Sequence, residues 1–83
     1  EPKTLLDYGI RHYRKGREYL ARSLPGMDDA FANKKLALGH FELARNASQQ
    51  LLKLNPKNAN ASDLAKSSIL MVHTCAKDMG FFD

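Results

Sequence analysis

Two stops divide this chain. Pro25-Gly26 and Asn55-Pro56 are places where a helix has to end, because proline lacks the amide hydrogen and restricts the residue before it. No segment between or beside them alternates apolar and polar residues with the period of two that a strand requires. What lies between the stops carries the helical period instead, so the chain is read as all-α. Its 83 residues are material for a single helical domain, residues 1–83, of the size that buries only about 60–65% of its unfolded surface.

The first period covers residues 4–24. Leu6, Ile10, Tyr13, Leu20 and Leu24 fall on one stripe, with Leu5 beside them, and Arg11, Lys15, Glu18 and Arg22 on the far side. Gly9 and Gly16 lie on the apolar side. Each costs about 1 kcal/mol against alanine in a helix, so another backbone is expected to come close there. The last period covers residues 61–79, with Asn60 as its cap and Asp63 reaching back. Leu64, Ala65, Ile69, Met71, Val72, Cys75, Ala76 and Met79 cover more than half its circumference, a face broad enough for the centre of a bundle or for a homodimer. Gly80 reads as the residue after the helix end, with Phe81 placed for the contact that often follows.

The middle is less simple. Asp28 and Asp29 suit a helix start. From there the apolar stripe runs through Phe31 and Leu38. Later it runs through Ala44, Ala47, Leu51 and Leu54, with Phe41, Ser48 and Leu52 on its flank. At 100° per residue the two stripe centres lie more than about 100° apart. A break near Gly39 would let both face one core, and two helices, about 28–38 and 40–54, are expected. The whole is then a four-helix array or bundle.

A helical hairpin turned at Gly39 has a familiar pattern. Leu38-Gly39 is followed by Phe41 two residues on, Ala44 three after that, and Pro56 within Leu-Asn-Pro-Lys-Asn-Ala. In these spacings residues 31–61 resemble a tetratricopeptide repeat. The resemblance covers one repeat, and Asp28, Lys35, Ser48 and Leu51 stand where the family has its other signature residues. No second copy lies upstream or downstream, and a lone repeat cannot bury its own face. The helices at 4–24 and 61–79 would have to cover it. Short trafficking modules of the microtubule-interacting-and-transport type look similar. The resemblance implies a protein-binding module that buries a partner's amphipathic segment in a groove between helices.

Motifs that carry chemistry are few. His12 to Gly16, HYRKG, has the spacing seen in phosphotransfer domains, but Arg17, Glu18 and Tyr19 replace the small residues that usually follow. His12, His40, His73 and Cys75 are the soft metal ligands, and no two have the spacing of a zinc site. No nucleophile has a base at recognisable spacing and no phosphate loop is present. The expectation is no catalysis, no metal and no cofactor. Asn46 and Asn60 match the glycosylation pattern, the first in mid-helix and the second as a cap, and neither is read as modified.

The net charge is +4, from thirteen Lys and Arg against nine Asp and Glu. Arg11, Arg14, Lys15 and Arg22, with Lys34 and Lys35 on the next helix, form a basic face that would select an acidic peptide or protein. Phosphate contact would need the same stripe, which keeps nucleic acid as the rival partner. Glu18 interrupts the stripe, and Tyr8, Tyr13 and Tyr19 do not line up to stack bases. No apolar run approaches a membrane span. The lone Cys75 allows no internal disulfide, which points to a reducing compartment, the cytoplasm or nucleus. The opening Glu-Pro-Lys, without Met or signal pattern, is read as that of an excised or processed domain.

Overall fold

The computed structural model describes residues 2–80, which form three helices: α1 (Pro2–Ala21), α2 (Ala30–Leu54) and α3 (Ala59–Asp78). The all-α expectation holds, and no strand occurs among the described residues. The four-helix array does not. The two expected helices, 28–38 and 40–54, are replaced by one continuous helix from Ala30 to Leu54, and no turn forms at Gly39.

The reason lies in which apolar residues are buried. Ala37, Phe41, Ala44, Ala47, Ser48 and Leu51 form the buried side of α2. They recur at helical spacings across Gly39 without a change of phase. Phe31, which set the first stripe, is 63% exposed, and Leu54, at the end of the second, is 70% exposed. Leu38 packs at the margin of the buried face, so the first stripe needs no core of its own and there is nothing for a break to correct.

α1 and α3 each pack along α2 and scarcely touch one another. The molecule is accordingly a flattened array, 42 × 26 × 14 Å, with α2 in the middle. The α1–α2 contact is close because α1 presents Gly9 and Gly16 to it. A Cβ at Gly9 would stand 3.3 Å from the Ala47 Cβ and 2.8 Å from Leu64 of α3. The two helix-interior glycines of α1 thus lie where another element approaches, as the sequence indicates. At the core, Phe41, Ala37 and Cys75 are fully buried, with Tyr13, Tyr19, Leu20, Leu38, Met71 and Val72 packed around them. Burial pushes the Cys75 thiol upward from its ordinary value, so it behaves as a small core residue.

The helix ends differ from the expected ones in instructive ways. α1 stops at Ala21 rather than at position 24. Arg22 and Ser23 donate their amides to the carbonyls of Tyr19 and Leu20, and the Ser23 hydroxyl donates to Leu20 as well. Leu24 is left 60% exposed, off the stripe. Asp29 adopts a left-handed conformation with φ 58° and its carboxylate caps nothing. Asn33 holds this junction by donating its side-chain amide to the Arg22 carbonyl.

α3 is capped by Asn58, whose side chain accepts the Ala61 amide at 3.0 Å. Asn60, the expected cap, is already inside the first turn. Gly80 follows the end of α3 with φ 81°, as expected. The expected Phe81 contact lies outside the described residues. The broad apolar face of α3 is turned inward on α2, with Ala61, Leu64, Ala65, Cys75 and Ala76 buried. Ile69 and Leu70 stay exposed.

Candidate docking surface

A flat three-helix layer covers two flanks of its central helix and leaves the remainder of that helix open. On α2 the open part is not polar. Ala32, Leu36, Gly39 and Leu43 follow one another at i, i+4, i+7 and i+11, about a third of a turn round from the buried face. With Lys35 and His40 they line an open trough of about 760 Å³. Leu36 and Leu43 are 48% and 39% exposed.

Gly39 sits in the middle of this row. A Cβ built there would meet nothing within 4 Å, whereas one at Gly9 or Gly16 would meet a neighbouring helix at once. The fold itself therefore has no use for a glycine at position 39.

Along one edge of the trough, rings bridge α2 to α1. The Nδ1 atoms of His12 and His40 lie 2.8 Å apart. That distance requires one nitrogen to donate a proton and the other to accept it. The two imidazoles are near-parallel, at 21°, and their centroids lie 5.1 Å apart, so they meet edge to edge through that hydrogen bond. Tyr19 stacks on His40 at 5.5 Å, and Tyr8 meets His12 edge-on at 4.4 Å. Arg22 lies over the Tyr19 ring at 5.7 Å. The His12 pKa is depressed below its ordinary value, first by partial burial and then by His40 and Arg11. His12 has its Nδ1 engaged by His40, and the space beside Gly16, which a phosphotransfer domain would leave for a partner, is filled by Phe41.

The expected basic residues separate into distinct places. Arg11, Arg14 and Lys15 stay together on exposed α1, but Asp7 and Glu18 line the same depression. Arg11 and Lys15 also line a second depression with Tyr8, His12 and His40. Lys35 borders the apolar trough. Lys34 turns the other way and pairs with Asp78 of α3 at 3.4 Å. Arg22 lies just beyond α1 against Tyr19. Only Arg11, Lys15 and Lys35, of the six, neighbour the trough or the depression that shares His40 with it.

Two elements escaped the sequence reading. One is the His12–His40 pair, twenty-eight residues apart and visible only once α1 and α2 are known to be antiparallel neighbours. The other is the apolar row, whose spacing stands in the sequence but is cut in two by a presumed turn at Gly39. The tyrosines also align better than expected: Tyr8 and Tyr19 join the histidines in one line of rings, while Tyr13 turns inward onto Phe41. Among the described residues no group of three or more His, Cys, Asp or Glu side chains could hold a metal ion. No described helix is long and apolar enough to cross a membrane.

No protein-family model matches the sequence, and no curated protein or solved structure matches the chain.

Proposed function

We propose that the chain is a non-catalytic protein-interaction module and that the outer face of α2 is its docking surface. The observation that carries this reading is the exposed row Ala32, Leu36, Gly39 and Leu43. Scattered exposed leucines are ordinary, but a continuous apolar row bordered by polar residues marks a contact surface. The reading draws nothing from the repeat resemblance and needs no hairpin at Gly39. A cytoplasmic or nuclear setting agrees with the single buried thiol.

A nucleic-acid surface has less support. Asp7 and Glu18 sit among the cations of α1 and cancel much of their field. Tyr19 stacks on His40, and the edge of His40 is taken up by His12, so this pair of rings offers bases little.

The test is a quantitative capture experiment, run with and without nuclease. It compares the wild-type chain with Leu36→Asp/Leu43→Asp and with Arg11→Glu/Lys15→Glu. Protein that survives nuclease, binds at saturable stoichiometry and is lost with the Leu36/Leu43 variant is the expected result. Binding that disappears with nuclease and survives the Leu36/Leu43 variant would make the molecule a nucleic-acid binder.

A further inference from the structure

Resting on that reading, we infer that the occupant of the α2 surface is an acidic amphipathic helix of another protein, which crosses α2 closely at Gly39.

The helical form follows from what the surface offers. An added strand needs a sheet edge, and none exists among the described residues. A row at i, i+4, i+7 and i+11 is the seam along which two helices lie side by side, at about 20° between their axes. Ala32 and Gly39 alternate with Leu36 and Leu43 along it, so small positions receive the partner's large side chains and large positions project between them.

Gly39 supplies the crossing point. The glycines of α1 give the comparison within the same molecule. Each sits where a neighbouring helix comes too close for a Cβ. Gly39 carries the same propensity cost of about 1 kcal/mol with no neighbour in the chain to require it. A partner helix at that point supplies what the fold does not.

The charge follows from the rims. Lys35 borders the apolar row, and His40 joins it to a second depression lined by Tyr8, Arg11, His12 and Lys15. Neither depression is lined by an aspartate or glutamate; Asp7 and Glu18 adjoin Arg11 and Lys15 in the neighbouring depression, so Lys35 and His40, next to the apolar row, weigh most. Glu42, the only acid in α2, lies 4.0 Å from Arg45. A helix with carboxylates flanking its apolar row meets cations along these rims. A second copy of this chain would bring a like net charge of +4 instead of the carboxylates these rims favour.

The test uses a display library of helix-forming peptides of about 20 residues, long enough to span the row. Leu or Ala is fixed at i, i+4, i+7 and i+11, and Asp, Asn or Lys is free at the flanking positions. The library is selected against the folded chain. Binders rich in Asp at the flanks are expected, with affinity about tenfold above their Asn counterparts at low salt. Gly39→Leu should lose them while remaining folded, because its side chain enters open space. Gly39→Ala serves as the milder control. Binders with neutral or basic flanks would overturn the acidic assignment and leave the docking surface standing. Self-association of the free chain in sedimentation equilibrium, abolished by Gly39→Leu, would make a second copy the occupant and overturn the inference alone. Selected peptides that bind Gly39→Leu and Leu36→Asp/Leu43→Asp unchanged, or a library that yields no binder, would overturn both the inference and the interaction reading.

Discussion

Gly16 of α1 lies against the ring of Phe41 of α2: a Cβ at position 16 would stand 2.8 to 3.0 Å from three ring carbons. Phe41 is fully buried and has Tyr13 edge-on at 5.4 Å on another side, so its ring has little room to retreat. Gly16→Ala should therefore destabilise the chain by about 1–3 kcal/mol through overpacking, despite the gain in helix propensity. Gly9→Ala should cost less, since its 2.8 Å contact is to the flexible end of Leu64. Gly39→Ala should stabilise by about 0.5–1 kcal/mol. Urea midpoints of the three variants check the order, and a destabilised Gly39→Ala would mean that the fold does use that glycine.

The cap of α3 offers a sharp contrast between neighbouring residues of one type. Asn58 accepts the Ala61 amide, and Asn60 sits exposed within the first turn. Asn58→Ala should cost about 1 kcal/mol, while Asn60→Ala should be neutral or slightly favourable. Thermal melts of the two variants measure the difference. Equal losses would move the helix start back to the sequence-based position.

How far the sequence can be read turns on particular residues. Gly9 and Gly16 signal close packing correctly, because a glycine on the buried side of a helix is worth its propensity cost only where a neighbour needs the space of a Cβ. Gly39 is as costly, but it lies on an exposed face, where the same cost reads equally well as a turn. Phe31 and Leu54 mislead for the opposite reason: both are large and apolar, yet both stand in solvent near the ends of α2. Burial follows from where α1 and α3 lie, and hydrophobicity along one helix does not contain that placement. Asn58 and Asn60 are chemically identical, and only the path of the chain after Pro56 selects between them. The basic face separates because Lys34 and Lys35 are successive residues and point about 100° apart on a continuous helix.

Ser68 is fully buried between α3 and its neighbours, and its hydroxyl has no hydrogen-bond partner. Ser48, equally buried, donates to the Arg45 carbonyl at 2.8 Å. An unpaired buried hydroxyl costs roughly 1–3 kcal/mol, whereas a paired one is near balance. Ser68→Ala should stabilise the chain by about 1 kcal/mol, and Ser48→Ala should change it little or weaken it. Chemical denaturation of both variants tests this. A loss of stability in Ser68→Ala would show that the hydroxyl is paired after all.

The His12–His40 contact makes stability respond to pH in a definite direction. One Nδ1 donates to the other, so protonating the accepting Nδ1 would set two N–H groups face to face at 2.8 Å. Burial, His40 and Arg11 all hold the His12 pKa below its ordinary 6.5. In the window just below 6.5 the unfolded chain therefore binds a proton that the folded chain does not. Stability is complete above that value and falls as pH falls through it. The groups facing the pair are Tyr8, Arg11 and Lys15 on α1 and Tyr19 across His40. The chain should melt at lower temperature at about pH 5.5 than at about pH 7.5. The difference between wild type and His12→Gln should narrow over the same range, because glutamine keeps a polar partner for His40 and takes up no proton. Parallel melting curves for the two proteins across the range would remove the histidine pair as the cause, and any remaining acid sensitivity would belong to the carboxylates.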